Sequence, residues 1–376
     1  MKRLAFLLFF LCALWLPVRA ETDAEAWYRE QLQASGAAHI VQSLPAETQQ
    51  LLERFGVVGW QQGQASDLGL ADTVDTLGAL LSQAAGGPLS AAAVLMATAL
   101  LCGWLQGLRH TVGGEKTGQA LQFLCDLAVC ACLLVPLFAC VRRTAAALES
   151  VSVFMIAFLP MFGGILLTAG QAVTSAAYQT VLLAAAQGIS LLAGQVLLPL
   201  MSVSLVCGSS GALSSQTQLH RIGEGVNKAV AWVVGLSASL FTGILSVKSL
   251  LGSAADSLGN RAVRFSLGSL VPVVGGSLGE AFGAIRNCLH LLSSSVGAFG
   301  IIATAGIVLP PLLQCIAWSA VLSVCGWTAQ VMDVPMLSQL LHSGRSVVRT
   351  LIALLCACAL VMMVSTAVVT SVRAGV

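Results

Sequence analysis

Residues 151–170 read VSVFMIAFLPMFGGILLTAG, and they open the stretch of sequence that decides the fold. From residue 150 to residue 220 the chain has 71 consecutive residues without Asp, Glu, Lys or Arg. A helix needs about 20 apolar residues to cross a bilayer core that is about 30 Å thick. The stretch is therefore long enough for two membrane spans, and we predict a tight turn between them near residues 171–175.

The composition of the whole chain agrees with a membrane protein. Of its 376 residues, 57% are hydrophobic and only 9% are charged, whereas about a quarter of the residues in a soluble domain are charged. This excludes a soluble globular protein. The net charge is +2, and no stretch is basic enough to predict nucleic-acid binding.

Apolar windows on both sides of residues 150–220, uncharged apart from Asp126 in one of them, predict the other spans. The resulting fold is an all-α polytopic membrane protein with seven or eight transmembrane helices. Its predicted parts are two transmembrane helices in residues 87–149, a first repeat half in 150–250, and an interfacial or re-entrant segment with a second repeat half in 251–376. The windows lie at about 88–108, 120–141, 229–247, 287–332 and 350–372.

Two segments precede the membrane domain. Residues 1–20 start with a basic pair and continue with an apolar run that is too short to span a bilayer, so we interpret them as a cleaved signal peptide, with an uncleaved anchor as the alternative. Residues 21–86 carry nine acidic and two basic residues. We predict that they form a small extracytoplasmic segment with amphipathic helices at about 23–34, 46–55 and 71–83, which packs on the membrane domain or on another protein.

The long uncharged apolar windows give way, between Lys248 and Arg286, to an amphipathic segment followed by a glycine-rich one. Apolar residues at helical spacing over 250–262 lie opposite Asp256 and Asn260, which predicts a helix in the membrane interface. Residues 263–283 are rich in glycine and contain a proline. There we predict a re-entrant or broken helix.

A nine-residue block occurs twice. FLPMFGGIL at 158–166 returns as LVPVVGGSL at 270–278, and Leu-Pro at 198–199 returns at 309–310 with nearly the same offset. We interpret residues 150–250 and 262–373 as two repeat halves, inverted or parallel. Proline has no backbone N–H to donate, so each block is expected to break its helix. The alternative is that the paired glycines, which have no side chain, let a neighbouring helix pack closely. The residues concerned are Pro160, Gly163, Gly164, Pro272, Gly275 and Gly276.

The polar residues do not form an enzyme site. The sequence has no HExxH and no Walker-type pattern, so we predict a noncatalytic protein without a cofactor or metal site. The charged side chains with the highest free-energy cost of transfer into lipid are those of Asp126, Glu280 and Arg286. Asp126 is either a structural or a functional acid, and the other two are either an interfacial pair or functional. The cysteines lie in apolar spans, where cysteine acts as a small hydrophobic residue.

The predicted topology places residues 21–86 outside the cytoplasm and the loop with Arg109 and Lys116 inside. On this topology eight basic residues lie inside and five outside, which is a weak positive-inside bias. The predicted partners are the lipid bilayer, other membrane proteins and, as an open alternative, a second copy of the chain.

The sequence resembles the stage III sporulation protein AE family of endospore-forming Firmicutes. The resemblance rests on the signal peptide, the stretch 44–56, the run from Asn260-Arg261 to Gly275-Gly276, Leu309-Pro310 and the final span. It implies a part in the secretion-like assembly that links mother cell and forespore and is needed for late forespore gene expression. It also implies a place in the outer forespore membrane, with the amino-terminal segment between the two membranes.

Two classes of function follow from these observations. The first is a noncatalytic membrane subunit of a sporulation channel, as the resemblance implies. The alternative is a stand-alone secondary transporter of a small solute, which the internal repeat and the Pro-Gly-Gly blocks favour.

Overall fold

The computed structural model describes residues 44–54, 70–112, 115–191, 195, 199–204, 206, 218–270, 275–331 and 335–371. These residues are helical apart from short turns, and no strand occurs among them. We number the helices α1 to α7, and residues 199–204 add a short helical segment. The numbered helices are α1 Ala46–Arg54, α2 Leu70–Val112, α3 Glu115–Thr168, α4 Ala172–Leu191, α5 Gln218–Leu270, α6 Gly275–Val331 and α7 Pro335–Ser371.

Helix α1 confirms the predicted helix at residues 46–55. It starts directly after Pro45, whose carbonyl accepts hydrogen bonds from the backbone N–H groups of Thr48 and Gln49. Its apolar side chains Leu51 and Leu52 are buried, and Thr48 lies against Gly306 of α6. The amphipathic stripe therefore packs on the helical bundle. The predicted helix at 23–34 and the signal peptide at 1–20 lie outside the described residues.

The helices are longer than the predicted ones. Helix α2 joins the expected helix at 71–83 to the expected span at 88–108, and α3 joins 120–141 to the apolar stretch after residue 150. The predicted boundaries at 86/87 and 149/150 therefore fall inside helices, as does the one at 250/251. The difference has a simple cause: charged residues such as Arg142, Arg143 and Glu149 limit where a helix enters lipid, but arginine and glutamate are good helix formers and do not end a helix. The division into membrane spans stays a prediction.

Five helices in the described part of the chain are long and apolar enough to cross a membrane. The apolar stretches of α3 and α5 are 42 residues each, which corresponds to about 63 Å at 1.5 Å per residue, or roughly twice the hydrocarbon thickness. The number of seven or eight crossings stays a prediction. The five stretches are Gly78–Thr98, Leu127–Thr168, Ile222–Val263, Ser293–Val331 and Leu337–Ala367.

Contacts between side chains give the directions of the helices. Helices α3 and α6 are antiparallel, because Cys140 lies 3.5 Å from Cys315 (Sγ to Sγ) while Phe158, further along α3, reaches back to Gly300. Helices α5 and α7 are parallel. His342 contacts Glu224, and four residues further along α7 Ser346 accepts a hydrogen bond from Asn227.

The parallel pair is relevant to the internal repeat, because most of α5 lies at the end of the first predicted half and α7 lies at the end of the second. The paired residues are 118 and 119 positions apart, whereas the two repeated blocks are 112 and 111 positions apart. A parallel repeat requires this arrangement, whereas an inverted one would give opposite directions. The repeat itself stays a prediction.

The segment predicted to lie in the membrane interface is part of α5. Its polar residues Asp256 and Asn260 are buried in the protein, whereas Leu250, Leu251 and Leu258 are more than 60% exposed. The helix thus presents its apolar side outward, as expected of a lipid-facing surface. The segment does not form a separate helix, because its apolar spacing belongs to the outer face of one continuous helix. Its place in the membrane interface stays a prediction.

Candidate functional site: the clamped turn between α3 and α4

The turn at residues 169–171 joins α3 to α4 close to the predicted turn at 171–175. Gly170 has φ of 75°, the left-handed conformation in which glycine avoids the steric cost of a Cβ atom. Its N–H donates to the carbonyl of Leu167, and the N–H of Gln171 donates to that of Leu166. These two bonds form a Schellman motif, which satisfies the last carbonyls of α3.

The N-terminus of α4 is capped from another helix. Gln171, at the position before α4, is not one of the residue types that cap a helix well. Instead, the two carboxylate oxygens of Asp256 on α5 accept hydrogen bonds from the backbone N–H groups of Val173 (3.0 Å) and Thr174 (2.9 Å). Asp256 is buried. Its negative charge faces the positive end of the α4 dipole, so the burial of this carboxylate is compensated.

Asn260, one turn further along α5, holds the other side of the turn. Its Nδ2 donates to the carbonyl of Gly170 at 3.1 Å, and its Oδ1 lies 3.0 Å from the place where a Cβ of residue 170 would stand. Asp256 and Asn260 lie on one face of α5 because they are four residues apart. Together they form what we call the α5 clamp on the α3–α4 turn.

The first Pro-Gly-Gly block lies just below this turn. Gly163 is packed against α4: Ser175 donates its hydroxyl hydrogen to the carbonyl of Gly163 at 2.7 Å, and a Cβ on Gly163 would collide with the side chain of Gln179. Gly164 has open space around it, and Pro160 is exposed. Close packing is therefore the observed role of Gly163.

The expectation that Pro160 breaks its helix is wrong, because α3 continues through it to Thr168. Proline there removes one hydrogen bond within the helix. The opposite side of the same turn is held by buried aromatic rings. Phe158 and Phe162 stack with centroids 5.3 Å apart, and Phe162 meets Tyr178 of α4 edge to face at 5.2 Å. This packing keeps the backbone helical.

The other residues predicted for the site are not brought together by the described contacts. Pro272 lies outside the described residues, between the end of α5 at Leu270 and the start of α6 at Gly275. Gly275 and Gly276 are the first two residues of α6. Asp126 lies in α3, and Glu280 and Arg286 lie in α6, but their side chains are outside the described part. Their roles stay predictions.

The site that the described residues form is a packing site without reactive groups aimed at a cavity. Both oxygens of Asp256 accept backbone hydrogen bonds, and the contacts of Gly163 and Asn260 are with neighbouring helices. Among the described residues, no group of three or more His, Cys, Asp or Glu could hold a metal ion. What this arrangement does physically is to fix three helices relative to one another.

The sequence carries a signal for the clamp. Asp256 is a lone acid within a long apolar stretch, and such an acid needs a buried partner. The start of α4, which its own sequence caps poorly, provides that partner. Only the fold shows that these two segments, 82 residues apart, are adjacent.

Comparison with known families gives one result. The sequence model of the family described as stage III sporulation protein AE matches residues 60–372, which include helices α2 to α7 and the whole clamp. Helix α1 precedes the matched region. No curated protein and no solved structure matches the chain.

Proposed function

We propose, since the chain belongs to the stage III sporulation protein AE family, that it is a noncatalytic membrane subunit of the secretion-like channel complex joining mother cell and forespore. The observation that carries this proposal is the family match over most of the chain. The described helices agree with it, because five of them fit membrane spans by length and composition. The contacts of the clamp hold helices together, which is the role expected of residues in a subunit that takes part in a complex without catalysing a reaction.

The same proposal includes a location and a topology. Residues 1–20 direct export, residues 21–86 lie in the space between the two membranes, and seven or eight spans cross the outer forespore membrane of the mother cell. The partners are the bilayer and other membrane proteins of the complex. The family match gives the alternative of a stand-alone transporter no support, because its description refers to sporulation and not to transport.

A deletion strain tests the proposed role. In a sporulating host that lacks this gene, engulfment of the forespore should finish, and a late forespore-specific reporter should stay off. A plasmid copy of the gene should restore the reporter. Normal reporter activity in the deletion strain would contradict the proposal.

A second experiment separates the two classes of function. The purified full-length protein, reconstituted alone in liposomes, should show no saturable solute flux driven by an ion gradient. Such a flux would favour the transporter.

A further inference from the structure

A cavity of about 850 Å³ lies where α1 meets the bundle. Its walls come from α1, from the first half of α2, from α3 around Arg143 and from α6 around its two prolines. It is distinct from the clamp, whose residues do not line it. We call it the α1 cavity. Its volume is in the range of sites that bind small molecules.

On the proposed topology, the α1 cavity lies near a membrane surface, because it joins α1, in the segment outside the cytoplasm, to the membrane helices. On α3 the charged residues Arg142, Arg143 and Glu149 are followed by an uncharged stretch to the end of the helix at Thr168. From Arg143 to Thr168 the helix rises about 38 Å at 1.5 Å per residue, enough to cross the hydrocarbon core. The charges on α3 fit a position at one face of the bilayer, where lipid headgroups lie, and this step rests on the proposed function.

Arg143 presents hydrogen-bond donors to the cavity. Its Nη1 donates to Oε1 of Gln314 on α6 at 3.1 Å, which fixes the guanidinium at the cavity wall. A guanidinium has five N–H donors, so the planar group retains donors for an anion. This geometry suits a phosphate oxygen, to which arginine binds well.

A backbone acceptor lies at the same wall. Pro311 is inside α6 and lines the cavity together with Ile307. Proline has no N–H, so the carbonyl of Ile307, four residues earlier, loses the partner that residue 311 would otherwise provide within the helix. In an apolar setting such a carbonyl requires another donor. A hydroxyl or ammonium group in the cavity would supply it.

The remaining walls are of two kinds. Leu51, Leu80 and Ile307 provide an apolar side, which suits an acyl chain or a glycerol backbone. Glu47 of α1 also lines the cavity. Its carboxylate disfavours a purely anionic ligand and favours one that carries hydrogen-bond donors in addition to its phosphate.

The geometry points to a phospholipid site in the α1 cavity. The lipid phosphate binds Arg143, a headgroup hydroxyl or ammonium donates to the carbonyl of Ile307, which Pro311 leaves free, and an acyl chain follows the apolar wall. The ligand class is a phospholipid with a donor-bearing headgroup, such as phosphatidylglycerol or phosphatidylethanolamine. Phosphatidylcholine, whose headgroup has no donor, should bind less well.

Native mass spectrometry of the purified full-length protein tests this site. Titration with phosphatidylglycerol and with phosphatidylethanolamine should show one lipid that stays bound. Arg143→Gln should weaken its binding about tenfold, the loss expected for one charge-assisted hydrogen bond. Arg142→Gln is the matched control, since it removes the same charge from a neighbouring exposed residue outside the cavity wall. It should change binding by less than about twofold.

A further variant tests whether the lipid occupies the cavity, and a further ligand tests whether its acyl chains contribute to binding. Ala146→Trp, at an exposed position of the cavity wall, should block the lipid while leaving the melting temperature unchanged. Glycerol phosphate without acyl chains should not compete at equal concentration. Equal losses for Arg142→Gln and Arg143→Gln, full competition by glycerol phosphate, or unchanged binding in Ala146→Trp would each overturn the assignment.

Discussion

The carboxylate of Asp256 accepts a hydrogen bond from the backbone N–H of Thr174 at 2.9 Å, and so joins the start of α4 to α5 across 82 positions in the chain. A second bond, from the N–H of Val173, uses its other oxygen. Helix α4 thus depends on a distant residue for the cap that most helices take from their own sequence. Because of these two hydrogen bonds, the start of α4 is held in a fixed position relative to α5.

Asp256→Ala should lower the stability of the protein by about 1–3 kcal/mol, because it leaves a buried N–H group (Thr174) and a partly buried one (Val173) without an acceptor. The midpoint of thermal unfolding in detergent micelles measures the loss. Ser257→Ala is the control, since that hydroxyl bonds only to the carbonyl of Ala254 in its own helix. If both variants melt at the wild-type temperature, the clamp does not stabilise the bundle.

Gly170→Ala should destabilise the turn by about 1–2 kcal/mol, the cost of a left-handed conformation for a residue with a Cβ atom. The new methyl would also press on Asn260. Gly188→Ala offers a matched comparison inside α4, where nothing lies within 4 Å. It should stabilise the helix by about 0.5–1 kcal/mol. Opposite shifts of the two unfolding midpoints are expected, and a stabilising Gly170→Ala would contradict the observed backbone conformation.

Adjacent glycines in the first Pro-Gly-Gly block should respond differently to a larger residue. Gly163→Leu should disrupt the packing of α3 on α4, because a side chain there meets Gln179, whereas Gly164→Leu points into open space. Protease resistance of the purified protein, together with its amount in the membrane fraction, would report the difference. Equal tolerance of both substitutions would show that α4 does not pack at Gly163.

Pro160→Ala should leave function intact. The helix is already continuous through this position, and alanine adds the N–H that can donate to the carbonyl of Ile156. In a sporulating strain the late forespore reporter should reach the wild-type level. A variant present at normal amounts in the membrane that fails to switch on the reporter would restore the broken-helix interpretation.

The local features of this fold were predictable from sequence, and the contacts between distant segments were not. Pro45 and the apolar stripe after it predict α1, because they act within a few residues. The length of the uncharged stretch 150–220 predicts a turn near residues 171–175, because one helix of that length would be much longer than the bilayer is thick. The length of α3 does not follow from the charge pattern, because Arg142 and Arg143 interrupt an apolar window without ending the helix. Helix ends depend on capping and packing, and not on charge alone.

In the candidate site, too, the local features follow from the sequence and the contacts between distant segments do not. The sequence repeat contains Gly163, and in the structure this glycine lies close to α4, where its carbonyl accepts a hydrogen bond from Ser175. The bond between Asp256 and Thr174 required a three-dimensional arrangement that no periodicity contains. In a single sequence, a buried acid shows only that some partner exists, and it does not identify which segment provides it.

The proposed role of this chain as a subunit of a sporulation membrane complex is tested most directly by quantitative mass spectrometry. The tagged full-length protein is isolated in mild detergent from sporulating cells, with an untagged strain as the control. If the chain is such a subunit, other sporulation-specific membrane proteins should be recovered with it at fixed molar ratios. Recovery of the chain alone, from cells in which the tagged protein still supports the forespore reporter, would contradict the proposed role.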